Sequence, residues 1–522
     1  MAAKSLNLKM LKHMHSTACE WVAGLARNFS ADRAGAVVLL FGLTLIPIMG
    51  FVGGAIDYAN AYANRSKLQN ALDAAALTAG RAVDMGQTES DALQAAAKVM
   101  AANLGSGFPS YASNFDIDFT AKTVLATANM NVDTYILGVL GFDYFPVAVT
   151  STVRLPNGKV EVVMVLDNSG SMGGSKLTSL KDAANTLTTI LYDATTIPDY
   201  VKIGLVPFAA SVNVGTGNSN APWMDATGQS SIHYENFDTN VTRWTLYSQL
   251  NNTSWGGCVE VRPSPHDTDD STAGSGGGDS YFVPTFAPDE PDNGWSYNND
   301  YLDDDDGNCG WGGWGETEEE AQEKTCKYNN ERPSGGSGPN YQCTSRSITT
   351  LTATKSTVTS AINNMIASGM TNIMEGVMWG WRVLSPEAPF TEGRSYDDDE
   401  NRKVMIIMTD GANTHTGANN QNMSRYSAFG YSKHGRLRSP TSSTSLLKIA
   451  MNEKTSEACT NAKDQDILIY TIAFDINDPD TLALLESCAS SPSRAFDIDD
   501  GDALVAVFEA IAGEINKLRI TS

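Results

Sequence analysis

Histidine is scarce in this chain of 522 residues. It occurs six times, and no pair stands in a His-Glu-x-x-His pattern, which excludes the helical zinc-protease arrangement. Seven cysteines occur without a Cys-x-x-Cys among them, so zinc knuckles and thioredoxin-like redox motifs are excluded too. Basic charge is in deficit: 36 Lys and Arg stand against 60 Asp and Glu, a formal net charge of -24. Such an acidic chain does not suit nucleic acid, whose phosphates demand clustered cations. There is no phosphate loop and no dinucleotide fingerprint. Ser169 lies in Asn-Ser-Gly-Ser rather than in a Gly-x-Ser-x-Gly nucleophile elbow.

What is present is organised around residues 160–172. Val160-Glu-Val-Val-Met-Val-Leu is an apolar run that reads as a buried central strand. It breaks into Asp167-Asn168-Ser169-Gly170-Ser171, and a helix is expected from about Lys176. One carboxylate and two hydroxyls therefore gather at the carboxyl end of a strand, where open α/β sheets place ligands. A second buried strand, from Lys403, ends on Asp410. Thr371 stands on a loop before an apolar helix that runs through Trp381 and Leu384. Hard oxygen donors of this kind suit Mg²⁺, with Mn²⁺ or Ca²⁺ as alternatives, far better than zinc or copper. Asp167 is expected at the open mouth of the sheet, where its loss would cost a ligand and leave the core intact.

In chain order, residues 1–33 read as a cytoplasmic tail carrying Lys4, Lys9, Lys12, Arg27 and Arg33 against Glu20 and Asp32. Within it, residues 7–28 have the spacing of an amphipathic helix. Residues 34–56 contain no charge and are long enough to cross a bilayer as one helix, kinked at Pro47. The basic residues before that span predict a cytoplasmic amino end, with the bulk of the chain periplasmic or exposed. A cleaved signal peptide is the alternative, although its apolar core is normally shorter. The helix is expected to continue from Asp57, with Leu68, Ala71, Leu72, Ala75 and Ala79 forming a narrow stripe of mostly small residues for packing within the chain's own juxtamembrane module.

Arg33-Ala-Gly-Ala-Val37, the Phe-Gly-Leu-Thr-Leu-Ile-Pro segment, Asp57-Tyr58 and Ser66-Lys-Leu-Gln-Asn-Ala-Leu-Asp-Ala-Ala-Ala-Leu77 resemble the amino-terminal module of TadE/TadG-like proteins of bacterial tight-adherence (Flp) pilus systems. Prepilin-like relatives carry Glu at the fifth position after a processed Gly. Here that position, counted from Gly35, is Leu40, so the resemblance implies an anchored protein that is retained whole.

Residues 57–155 then read as a small α/β module, closed by a Pro-Asn-Gly turn at 156–158. Residues 135–140 within it look like a short apolar turn or helix. From 156 to 522 the alternation of strand and helix predicts a doubly wound α/β sheet, interrupted by an insertion at about 215–345 that is rich in Gly, Asn, Ser, Asp and Trp. An irregular stretch of that size suggests a subdomain held by disulfides. Its acid run, Asp303 to Asp306, suggests Ca²⁺ or a solvated surface, and Leu302 stands where a calcium loop of the EF-hand type needs an acid. Its tryptophans are either a binding surface or local core. The six cysteines after the span allow 15 pairings. We expect Cys459 to pair with Cys488, and the four insertion cysteines to pair among themselves.

Taken together, Asp167, Ser169, Ser171, Thr371 and Asp410 resemble the metal-ion-dependent adhesion site of von Willebrand factor type A domains. The resemblance implies hydroxyls from Ser169, Ser171 and Thr371. Asp167 and Asp410 would supply carboxylates, partly through water. It also implies a free coordination position for an acidic side chain of a partner. His415, five residues after Asp410, could approach such a metal or lie on the surface. The two resemblances imply a single-pass inner-membrane protein that is not an enzyme. Its work would be metal-dependent binding of pilus or envelope proteins in Flp pilus assembly or surface anchoring, with no nucleic acid partner. The alternatives are a surface adhesin that binds external ligands directly, or a metal-dependent hydrolase.

Overall fold

The computed structural model describes residues 33–84, 87–118, 123–154, 158–194, 197–292, 297–310, 315–334 and 338–521. The amphipathic helix expected at 7–28, Cys19, and the tryptophans at 311 and 314 lie outside these residues, as does part of the turn at 156–158. Two compact units are present, the first ending at residue 155.

The first unit is built on α1, Arg33–Asp84, a continuous helix of 52 residues that runs through Pro47. Its first half leaves large apolar side chains uncovered, among them Leu43 and Phe51. Among the described residues it is the one helix long and apolar enough to cross a membrane. In its second half Leu68, Ala71, Leu72, Ala75 and Ala79 are buried, as the small-residue stripe predicts. They share a core with Ala92, Ala96 and Met100 of α2 (Glu89–Leu104) and with one face of a three-stranded antiparallel sheet. That sheet comprises β1 (Tyr111–Asp118), β2 (Thr123–Asp133) and β3 (Tyr144–Arg154). In β2 the alternation of buried and exposed residues is nearly strict, as a sheet covered on one side requires.

The second unit holds a six-stranded sheet. Its strands are β4 (Lys159–Asp167), β5 (Val201–Phe208), β6 (Thr349–Thr352), β7 (Asn401–Thr409), β8 (Leu468–Phe474) and β9 (Ala495–Ile498). Their order is β6-β5-β4-β7-β8-β9. All neighbours are parallel except β5 and β6, which run antiparallel. The doubly wound expectation holds. The edge strand β6 was not foreseen, because four residues, Thr-Thr-Leu-Thr, are too few for a periodic signal.

Because side chains alternate along a strand, β4 feeds two cores. Val160, Val162, Met164 and Leu166 join α3 (Ser175–Asp193), α4 (Lys355–Asn363) and α8 (Gly501–Thr521). Val163 and Val165 face α5 (Ile373–Leu384) and α6 (Thr444–Asp464) on the other side. Helix α7 (Pro479–Cys488) packs against α6 and β8.

The insertion is no separate globule. Trp223, Trp255, Phe282, Phe286 and Tyr328 belong to the same buried cluster as α5 and the sheet face, so the tryptophans at 223 and 255 are core. Disulfides join Cys258 to Cys343, Cys309 to Cys326 and Cys459 to Cys488, so the last pair is as expected and the insertion cysteines do pair among themselves. The 85-residue separation of the first corresponds to about 4–5 kcal/mol in the chain-entropy account of cross-links. In the acid run, Asp304 takes the buried ammonium of Lys327 at 2.9 Å, and Asp305 meets the half-buried Lys324 at 3.5 Å.

Charges are buried where they are paired. Glu161 on β4 is fully buried and accepts from the Arg394 backbone and guanidinium, Asn401 Nδ2 and Lys403 Nζ. Glu375 on α5 is less well compensated. Burial pushes its carboxyl up from 4.5 to about 7, against the opposing charge of Arg382 and a hydrogen bond from Trp379 Nε1. The folded state thus holds a proton that the unfolded chain releases near its ordinary value. This contribution to stability is complete below about pH 4.5 and is lost as pH rises through 7, by about 3 kcal/mol in all. In denaturant melts from pH 4.5 to 8, Glu375→Gln should remove that part of the decline. A variant whose stability follows the wild-type curve in parallel would contradict it.

Candidate metal centre

The site forms where three loops leave the carboxyl ends of adjacent parallel strands, or meet them. β4 and β7 are paired in register up to Leu166 and Met408, which sets Asp167 and Asp410 on neighbouring chain ends. The loops are stitched together by backbone bonds. Gly170 N donates to Gly369 O at 2.9 Å, Ser368 N to Asn168 O at 2.9 Å, and Thr414 N to Thr371 O at 2.9 Å. Gly369 has φ +92°, and a Cβ there would sit 2.6 Å from Thr344 Oγ1, so this close approach requires glycine. Asn168 is buried and ties the first loop to Ile366 O and Ser345 Oγ.

All five predicted residues come to this rim. Ser169 Oγ lies 3.0 Å from Ser171 Oγ. Ser171 Oγ donates to Asp410 Oδ1 at 2.6 Å. The hydroxyls of Thr371 and Ser171 both lie within 4.0 Å of the point a side chain on Gly411 would occupy.

Asp167 differs from expectation. It is fully buried rather than at an open mouth. Its Oδ1 accepts from Ser169 N at 2.7 Å and its Oδ2 from Thr409 Oγ1 at 2.6 Å. Burial pushes its carboxyl up to about 6, against the hydrogen bonds from Thr409 and Ser169, and the nearby charge of Asp410 adds to the rise. Each oxygen accepts one bond and keeps a second lone pair.

Three residues that the sequence reading missed complete the site. Thr409 fixes Asp167. Lys176 Nζ lies 3.0 Å from Asp410 Oδ2 and 3.0 Å from Asp475 Oδ2. Burial lowers the Lys176 pKa, but the bonds to Asp475 and Asp410 outweigh it and hold the ammonium above its ordinary value. Asp475 directly follows β8, so the rule that marked Asp167 and Asp410 as strand-end carboxylates could have found it. Lys176 left no comparable signal. His415 is corrected in both readings. It is buried, its Nε2 meets Ser424 Oγ and Arg425 O, and burial lowers it to about 4 despite the backbone bond.

The donor set fits a hard divalent cation. Two carboxylates and three hydroxyls offer oxygen donors, few of them charged. A lysine ammonium on Asp410 shows that the position already stabilises positive charge. Among the described residues, no three His, Cys, Asp or Glu side chains form a metal-holding group, so hydroxyls must carry much of any coordination here.

Residues 35–97 match the family described as "Putative Flp pilus-assembly TadE/G-like". No curated protein matches the chain. Among solved structures it is similar to the pilus adhesin SpaC from Lactobacillus rhamnosus GG, with 13% identity and a TM-score of 0.33. That match covers 79% of this chain and 35% of SpaC, so the chain spans about a third of that adhesin's length. It is also similar to the vWF domain of the type V pili tip protein Mfa5 from Porphyromonas gingivalis. There the identity is 12%, the TM-score 0.32, and the coverage 69% of this chain and 95% of that domain. A third is proximal thread matrix protein 1 from the mussel byssus, with a zinc-occupied MIDAS motif. Its identity is 11%, its TM-score 0.29, and the coverage 69% and 46%.

Because Asp167 is buried and doubly bonded, its removal should destabilise the protein even in EDTA. Asp167→Ala leaves Ser169 N without its acceptor and leaves Thr409 Oγ1 only the weaker bond to Gly411 O at 3.1 Å, a loss of about 1–3 kcal/mol after relief of the buried charge. Ser171 is exposed, and Ser171→Ala should stay within about 1 kcal/mol of wild type. Melts in EDTA check both. Equal stability of Asp167→Ala and wild type would mean that the two bonds do not hold the loop.

Proposed function

We propose that the chain is a membrane-anchored, metal-dependent protein-binding component of Flp (tight-adherence) pilus assembly or surface anchoring. The observation that carries this reading is the convergence of Asp167, Ser169, Ser171, Thr371 and Asp410 on one rim. The TadE/G-like match at 35–97 supports the pilus context. In this reading residues 1–33 are a cytoplasmic tail and 34–56 span the inner membrane. Residues 57–155 are the juxtamembrane module, and 156–522 are a von Willebrand A domain with its insertion at about 215–345.

Ser169, Ser171 and Thr371 would hold the cation, Mg²⁺ by donor chemistry, through their hydroxyls, and Asp167 and Asp410 would supply carboxylates, at least partly through water. When bound, Mg²⁺ supplies an electrophilic position for a carboxylate of the partner. The chain's own residues set the conditions. Thr409 and Ser169 fix the Asp167 carboxylate, and Ser171 orients Asp410. Lys176 neutralises Asp410 and Asp475 when no metal is present, and so competes with it. Binding rather than hydrolysis is favoured because His415, the histidine that follows Asp410 in sequence, is buried and engaged with Ser424 and Arg425.

The test uses the full chain in detergent. Titration calorimetry should show Mg²⁺ or Mn²⁺ binding that Ser171→Ala weakens at least tenfold. Lys176→Met should strengthen it severalfold by removing the competing ammonium. Capture of an envelope protein should require the metal and fail with Ser171→Ala. A reporter at Ser522 should be active only if of the exported type. Absence of metal binding in wild type and in Lys176→Met, with capture unchanged in EDTA, would reduce the domain to a passive scaffold.

A further inference from the structure

Residues 135–142, Tyr-Ile-Leu-Gly-Val-Leu-Gly-Phe, join β2 to β3 and carry no charge. Four of their large side chains point outward: Tyr135 is 75% exposed, Val139 86% and Phe142 66%, with Leu140 also uncovered. A contiguous set of this kind calls for a partner. Its position names one. The loop lies along α1 at its uncovered apolar segment. The place of a Cβ on Gly50 is 3.6 Å from Leu140 Cδ1, that on Gly54 is 3.8 Å from Leu137, and a Cβ on Gly53 would overlap Ile136. The loop tip thus reaches back from Asp57 to Gly50, about 10 Å along the helix at 1.5 Å per residue.

A non-helical loop enters hydrocarbon only if its backbone groups are satisfied internally. Most amides of this loop meet that demand. Asp57 is itself buried and accepts from Tyr135 N, Ile136 N and Leu137 N at 2.8–3.0 Å. Val139 N donates to Ile136 O, Gly141 N to Gly138 O, and Phe142 N to Leu137 O. Thr134 N donates to Asp143 O, and Thr134 Oγ1 donates to Phe142 O. Exposed Asp133 and Asp143 flank the apolar stretch and mark where it would leave the bilayer.

We propose that residues 135–142 are a second membrane-inserted element, a loop seated in the lipid leaflet beside the carboxyl end of the span. Tyr135 and Tyr144 sit at its base, as interfacial aromatics do. Val139, Leu140 and Phe142 enter the acyl region. The inference rests on reading α1 as a membrane anchor. Its consequence is that the three-stranded sheet is held to the bilayer at two points, which fixes its tilt.

The experiment uses the full chain with Cys19→Ser, reconstituted in phosphatidylcholine–phosphatidylglycerol vesicles. A single cysteine at Val139, Phe142 or, as a control, Leu125 carries an environment-sensitive NBD dye. Labels at 139 and 142 should emit to the blue and lose at least half their intensity with nitroxide-labelled acyl chains. The label at 125, exposed on β2, should do neither. If 139 and 142 behave like 125, or shift to the blue without quenching, the inference is overturned, since water or protein then covers the loop. Alkaline extraction of the same vesicles separates the two failures. A chain released by carbonate loses its anchor. A chain that stays while 139 and 142 remain in water loses only the loop.

Discussion

The parallel pairing of β4 with β7 is the constraint from which the site follows. It delivers Asp167 and the residue after Thr409 to adjacent chain ends, and two carboxylates so placed repel each other. The fold compensates in three ways. Burial and two hydrogen bonds hold Asp167 with its carboxyl raised. Ser171 donates to Asp410. Lys176 bridges Asp410 and Asp475. The compensating groups come from the loop after β4, the start of α3 and the end of β7, so these segments must be locked to their neighbours, and the backbone bonds at Gly170, Ser368 and Thr414 provide that lock.

The insertion contributes to the same end. Its aromatic residues extend the core on one face of the sheet, and the Cys258–Cys343 disulfide closes it near the chain's return to β6. Ser345, just past that disulfide, bonds Asn168 in the loop of the site. A long irregular segment thereby becomes part of the support for the rim. It has little regular secondary structure, yet it buries Arg243, Glu260 and Arg436 against Tyr426 in one paired network. Removal of one partner from such a network leaves a buried charge uncompensated, at about 3–5 kcal/mol.

Sequence reading captured what periodicity and position encode. Strands β4, β7 and β8 are apolar runs long enough to recognise, and the small-residue stripe of α1 predicted its packed face. The five rim residues and the Cys459–Cys488 pair were likewise in view. What escaped was non-local or too short. β6 has four residues. Lys176 and Thr409 matter through partners far away in sequence, and Asp475 was passed over as an ordinary strand end. The insertion's core has no period because its side chains come from turns. Asp167 was placed at the surface because a loop residue at a strand end usually lies there, yet the closure of three loops buries it. The apolar residues at 135–140 were read as a short turn or helix, and Leu137–Leu140 form a 3₁₀ turn, but nothing in the sequence shows that Asp57, nearly eighty residues earlier, accepts the amides of 135–137.

The electrostatics of the rim bear on how the proposed binding would be controlled. The chain has a formal net charge of -24, and the rim holds Asp167, Asp410 and Asp475 against one Lys176. A partner's carboxylate approaching this surface meets like charge, at short range from the rim and at longer range from the protein as a whole. Lys176 alone cannot invert that field, because its ammonium is shared between two of the carboxylates. A divalent cation adds two positive charges at the point of contact, where local charge dominates over the screened remainder of the protein. On the proposed reading, affinity for an acidic partner is therefore conditional on the metal, and the general acidity of the chain sharpens the contrast between the two states.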